Sequence, residues 1–203
     1  RENNAPYEAR YWLLTWYGNG GPGSFDGVYE EVVNWRFKLA SLMTLKNVAI
    51  GGSHESYEWI LGESRYCLVP KGMGYWTHRL YEVLIAGCIP VILSDYVVLP
   101  FQGILGIDWR QFSVKWPEDM IGPELYRWLV HVDLTRGAQL KAMVDKVSCW
   151  FDYHEDPDKP GCSAVHATLV ALQQQKQQRR PIVRKEDEEH RGGQQQQQQQ
   201  QQQ

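Results

Sequence analysis

The run Ile89-Pro90-Val91-Ile92-Leu93 is apolar at all five positions, and it limits the fold more than any other feature of the chain. A strand with one face in water alternates apolar and polar residues. One that is apolar on both faces has to be covered on both, as happens in a parallel sheet between helices. Pro90 has no N–H for a ladder bond, which predicts that it takes the strand's first position.

The rest of the chain fits that frame. Residues 11–17 predict a buried strand, ending in the flexible loop Gly18-Asn19-Gly20-Gly21-Pro22-Gly23. Val28, Val32, Trp35, Leu39 and Leu42 then recur at helical spacing. A short strand is predicted over 47–50, a short helix over 55–61, and another strand over 66–69, bounded by Pro70 and Gly72. Thr77 stands where it would cap a helix to about Ala86, with Gly87 as its stop. A shorter strand over 112–114 precedes helices near 123–132 and 135–151. Strands alternating with helices define an α/β fold with a parallel, doubly wound sheet. Ligands of such sheets bind at the carboxyl ends of the strands, where the glycine loops after Tyr17 and Val69 fall.

With 203 residues, 43% of them hydrophobic, the chain has room for one domain and chain to spare. The polar stretch from Gln173, closed by the glutamine tract 194–203, buries too little apolar area to offset ordering. The division is therefore a domain over 1–172 and a disordered tail over 173–203. A net charge of -3 gives no general attraction to nucleic acid or to anionic membranes. No apolar run is long enough to cross a bilayer and no signal peptide opens the chain. Its first residue is Arg1 rather than Met, which leads us to expect a missing N-terminal portion. The nine tryptophans and eleven tyrosines suit sugar handling, but the same rings also fill cores.

The four cysteines form no CxxC pair, which argues against a zinc site. Cys67 and Cys88 lie in strongly apolar surroundings and read as buried thiols. Cys149 and Cys162 flank a loop rich in Pro and Asp and could form a disulfide in an oxidising compartment, a choice the sequence leaves open.

Chemistry concentrates between residues 66 and 114. Tyr66-Cys67-Leu68-Val69-Pro70-Lys71-Gly72 is a strand entering a glycine loop, and Thr77-His78-Arg79-Leu80-Tyr81-Glu82 opens a helix. Three residues apart, Arg79 and Glu82 share one helix face. A guanidinium beside helix N–H groups suits a diphosphate, and a carboxylate can accept both hydroxyl protons of a ribose. A surface ion pair is the plainer alternative for the same two residues.

The neighbouring residues are less specific. His78 reads as a surface residue, and Asp95 as either a ligand-side residue or an Asx-turn. Leu99-Pro100-Phe101 reads as a wedge within its loop, and His54-Glu55 as cleft lining, with Ser53 and Glu55 also reading as helix-start residues. The 18–23 loop has no Lys or Arg, so its contribution to a phosphate site would come from backbone N–H groups.

The ordered string Cys67-Leu68-Val69-Pro70-Lys71-Gly72, Thr77-His78-Arg79-Leu80-Tyr81-Glu82, Gly87-Cys88-Ile89-Pro90-Val91-Ile92-Leu93-Ser94-Asp95 and Leu99-Pro100-Phe101 resembles the exostosin-family glycosyltransferases. Asp108-Trp109 and Phe112-Ser113 continue it. The resemblance implies a Rossmann-like domain, the C-terminal half of a GT-B enzyme, whose missing N-terminal domain would face it. It implies an inverting transfer of a hexosyl or pentosyl group from a nucleotide sugar, in most cases a UDP-sugar, to a glycan acceptor. By the same resemblance Arg79 binds the diphosphate and stabilises the leaving group, Glu82 binds ribose, and Gly72 and Thr77 line the phosphate side. Thr77 stands where Ser is usual, and Met73 where Asp is common. No general base is assigned in this chain, and neither a cofactor nor a catalytic metal is expected. A lumenal site at the Golgi or endoplasmic reticulum membrane follows from the resemblance alone. The competing expectation is a nonenzymatic module on the same scaffold that binds a nucleotide sugar, a glycan or a protein.

Overall fold

The computed structural model describes residues 6–17, 38–52, 54–72, 74–154 and 157–179. The 18–23 loop, most of the helical stripe from Val28 to Trp35, Met73 and the glutamine tract lie outside them. Five strands, β1 (Trp12–Tyr17), β2 (Val48–Gly51), β3 (Ser64–Pro70), β4 (Ile89–Leu93) and β5 (Val114–Lys115), form one sheet in the order β2-β1-β3-β4-β5. Every neighbouring pair is parallel. Helix α1 (Tyr57–Gly62) joins β2 to β3 and α2 (Arg79–Ile85) joins β3 to β4. Beyond β5 come α3 (Pro123–Val147) and α4 (Ala164–Arg179). Parallel strands connect through right-handed crossovers. From β1 the order runs one way to β2 and the other way through β3, which is the strand order of a doubly wound sheet. The chain is an α/β protein with a Rossmann-like, doubly wound sheet.

β4, next to the sheet's middle, is buried at all five positions, as its composition requires. Pro90 sits second in the strand, opposite Cys67, and not first. The sheet tolerates it because residues of one parity share a hydrogen-bonding direction. The Ile92 carbonyl accepts from Trp116 on the β5 side, so Pro90 faces that side too. β5 begins its pairing only at Val91–Val114, and no ladder bond is lost.

Two further expectations change. The strand over 112–114 shrinks to Val114–Lys115, because Asp108 starts a 3-10 turn over Trp109–Gln111 and Phe112 ends it. The two helices expected between 123 and 151 are one helix to Val147, followed by a 3-10 turn over Ser148–Phe151. Gly137 stays inside α3 because something packs on it: a Cβ there would overlap the Tyr7 hydroxyl. Phe151 then closes an aromatic cluster with Trp109 (centroids 5.3 Å apart) and Phe101 (5.8 Å), while Trp109 and Phe112 stand 4.8 Å apart. Pro100 accepts the Trp109 indole N–H at 2.9 Å, so Leu99-Pro100-Phe101 does wedge its loop against the core.

Cys67 and Cys88 are joined in a disulfide, with Cα atoms 6.0 Å apart, and are not free thiols. Tyr66 pairs with Ile89 and Cys67 with Pro90, so strand register brings the two sulfurs together from 21 residues apart. Cys149 and Cys162 form a second disulfide. Helix α4 continues through residues 173–178 to Arg179, across the boundary drawn at residue 172. Glutamine is a good helix former, and a helix already begun at Ala164 extends through it readily.

Candidate functional site

The sheet order reverses between β1 and β3. In doubly wound sheets a reversal of this kind opens a crevice at the carboxyl ends of the strands. Trp16 lies near the end of β1, and the residues after Pro70 leave β3 for α2. The site is built where these meet the start of α1.

Arg79 is the first residue of α2. Its guanidinium carbon lies 5.5 Å from the Trp16 ring centre and 5.4 Å from that of Tyr57, the first residue of α1. One guanidinium nitrogen, Nη1, donates to the Tyr57 hydroxyl at 2.9 Å. That hydroxyl donates in turn to Glu82 Oε2, also at 2.9 Å. Arg79 and Glu82, expected to share a helix face, therefore meet through a tyrosine. The other carboxylate oxygen, Oε1, lies 3.4 Å from Nε2 of His78. Glu82 keeps 39% of its side chain exposed and His78 79%, so both remain in reach of a ligand. Burial pushes the Tyr57 hydroxyl well above the usual tyrosine range, with Arg79 lowering it and Glu82 raising it.

Thr77 does not cap α2 in the expected way. The N-cap position is His78, and the Thr77 hydroxyl accepts from the Arg79 N–H at 3.4 Å. Gly87, at φ 66°, does stop the helix in the left-handed region. Gly72 lies in the loop after β3, where a Cβ would come within 3.0 Å of the Trp76 carbonyl oxygen. The same loop is pinned by Ser94, which donates to the Tyr75 carbonyl at 2.7 Å. Lys71 pairs with Glu118 at 2.8 Å, and Glu118 also accepts from the Asp95 N–H at 3.0 Å. Lys71 and Asp95 thus brace the rim of the sheet. His54 stands at the start of α1. Its Nδ1 accepts from the Ser56 N–H at the start of α1, and its ring lies 5.1 Å from that of Tyr17.

Sequence reasoning missed Trp16 and Tyr57. Both carry patterns that read as structure, one in a buried strand and the other in a short helix. Tyr57 stands 22 residues from Arg79, and only the fold brings them together. A separate cavity of about 380 Å³ lies beside β5, lined by Leu99, Val114, Trp128, Val132 and Leu140 with Arg110 and Arg136. It includes none of Gly72, Thr77, Arg79 and Glu82.

A doubly wound parallel sheet with a cation and a carboxylate at its switch point belongs to the class of Rossmann-like α/β domains. Residues 3–129, over half of the chain, match the Exostosin GT47 domain, and the chain belongs to that family. It is 32% identical over 114 residues to the Arabidopsis thaliana protein named "Probable glycosyltransferase At3g07620", covering 56% of this chain and 23% of that protein. To Exostosin-1 of Drosophila melanogaster it is 45% identical over 65 residues, covering 32% of this chain and 8% of that one. To the Oryza sativa subsp. japonica protein named "Probable glucuronosyltransferase GUT1" it is 43% identical over 60 residues, or 30% and 14% of the two chains. The chain thus spans less than a quarter of the length of these relatives.

Proposed function

We propose that this chain is the donor-binding half of an inverting glycosyltransferase, which transfers a hexosyl or pentosyl group from a nucleotide sugar, a UDP-sugar, to a glycan acceptor. The observation that carries this reading is the Arg79–Tyr57–Glu82 constellation at the sheet's switch point. Family membership and relatives named as glycosyltransferases support it. In this reading Arg79 meets the diphosphate, Glu82 accepts from the ribose hydroxyls, and Thr77 and Gly72 border the phosphates.

During transfer the bond from the anomeric carbon to the diphosphate oxygen breaks, and negative charge grows on the leaving group. A donor already aimed at that charge lowers the barrier by about 3 kcal/mol. Arg79 fills that role with its guanidinium already ordered by two rings and a hydroxyl, and the reading requires neither a cofactor nor a metal. The acceptor hydroxyl must lose a proton to a general base. That base belongs to the facing domain of a GT-B arrangement or to the cleft between the domains. Two disulfides fit folding in an oxidising lumen and support a site at the Golgi or endoplasmic reticulum membrane.

Calorimetric titration of the chain with UDP, GDP and ADP tests the assignment. UDP is expected to bind in preference to the other two, and Arg79→Ala to weaken it at least tenfold, the loss of a charge-assisted contact of about 1.5–3 kcal/mol. The melting temperature should stay within a few degrees of the parent. A folded parent that ignores UDP would remove the donor site and leave a nonenzymatic binding module. Equal affinity in parent and variant would remove Arg79.

A further inference from the structure

We infer that Tyr57 is a positioning residue that holds Arg79 and Glu82 apart and aims both at the ligand, with Trp16 as the second wall of the clamp. This rests on the donor-site reading above. The guanidinium has only N–H donors, so its bond to Tyr57 runs in one direction. The phenol oxygen accepts from Arg79, and its single proton is left for Glu82 Oε2, at 2.9 Å on each side. The orientation of the hydroxyl is thereby fixed. Because burial keeps the phenol protonated, the arrangement persists across the neutral range.

Without that hydroxyl, Arg79 and Glu82 are three residues apart on one helix and free to close into a direct ion pair. Each would then neutralise the group that the ligand needs. With the hydroxyl in place, Tyr57 engages one carboxylate oxygen and one guanidinium nitrogen. Glu82 Oε1, with the exposed His78 ring 3.4 Å away, and the other guanidinium N–H groups then turn to the ligand. The Trp16 and Tyr57 rings, 5.5 and 5.4 Å from the guanidinium carbon, hold the planar group against rotation. Trp16 is 3% exposed, so the wall it provides is fixed in the core. Recognition of ribose and recognition of diphosphate are in this way coupled through one oxygen atom.

The test is a double-mutant cycle on the full 203-residue chain, with UDP as the probe and a thermal melt for each variant. Tyr57→Phe keeps the ring and removes the hydroxyl. It is expected to weaken UDP about tenfold, because the direct ion pair that then forms withdraws a charge-assisted contact from the ligand, with little change in melting. In a Glu82→Gln background, where no ion pair can form, the same substitution should cost less than about twofold. Parent-like affinity in Tyr57→Phe overturns the inference. So does an equal loss in both backgrounds, which would mark a merely structural tyrosine. If Tyr57→Phe does not fold, Arg79→Lys carries the same test. It keeps the charge but lacks the planar faces, so a loss of about tenfold supports the clamp and unchanged affinity overturns it. A folded parent that does not bind UDP overturns the donor-site reading itself, and the clamp with it, whereas a binding parent confines any failure to Tyr57.

Discussion

Arg10 is 2% exposed, donating to the Ser64 carbonyl at 2.7 Å and to the Ala86 carbonyl at 3.4 Å. It ties the segment before β1 to the start of β3 and the end of α2. The polar, irregular look of the first ten residues gives no sign of this, because the two acceptors lie 54 and 76 residues away. Asp108 acts more locally. It accepts from the Arg110 N–H at 3.2 Å and from two guanidinium nitrogens at 2.9 and 2.8 Å. The Arg110 side chain holds its carboxyl down, from the ordinary 3.8 to about 2. A depressed carboxylate contributes stability above its unfolded value and loses it as pH falls through its folded one. Asp108→Asn is therefore expected to melt below the parent at pH 6, and the gap to close between about pH 4 and pH 2. Thermal melts at four pH values decide this. A constant gap would mean that Asp108 acts by shape and not by charge.

Helix α3 shows how packing overrides an element's own preferences. Glycine inside a helix costs about 1 kcal/mol relative to alanine, so Gly137→Ala would ordinarily stabilise. Here the Tyr7 hydroxyl, which donates to Asp133 on the same helix, occupies the space a Cβ needs. The Tyr66 hydroxyl lies 3.2 Å from that position, and burial pushes it up to about 12. Asp133 also pairs with Arg65 of β3 at 2.7 Å, so the cluster joins the 3-10 turn over Tyr7–Ala9, the sheet and α3. Displacing Tyr7 forfeits a hydrogen bond to a carboxylate, worth about 1.5–3 kcal/mol, which exceeds the gain in propensity. Gly137→Ala is expected to lower the melting temperature by a few degrees, at about 2–4 °C per kcal/mol for a chain of this size. A higher melting temperature would show that Tyr7 moves aside without loss. The same logic explains why α3 runs unbroken past a residue that by local rules invites a stop.

Across the whole molecule, the two disulfides close segments of 21 and 13 residues, worth about 3 kcal/mol each in unfolded-state entropy. Reduction is expected to lower the melting temperature by about 10–20 °C, and Cys67→Ala with Cys88→Ala by about half of that. A reduced chain that melts like the oxidised one would rule out a structural role for both bonds. Much of this architecture was legible in the residues. The apolar run of β4, the strand over 11–17, the short α1 and the Gly87 stop follow from periodicity and turn chemistry, which act over a few residues. The family motif likewise runs along consecutive residues, and it brought attention to Arg79 and Glu82 before any geometry was known. What stayed hidden depends on strand order. Cys67 meets Cys88 because β3 and β4 pair in one register, and Tyr57 reaches Arg79 because α1 and α2 begin beside the same crevice. Arg10 is buried because three distant segments close over it. The sequence by itself determined the covered parallel sheet and the charged residues at its mouth, because those signals are local. Only the tertiary structure decided which side chains touch, because contacts between residues 21 to 76 positions apart are set by how the sheet is ordered.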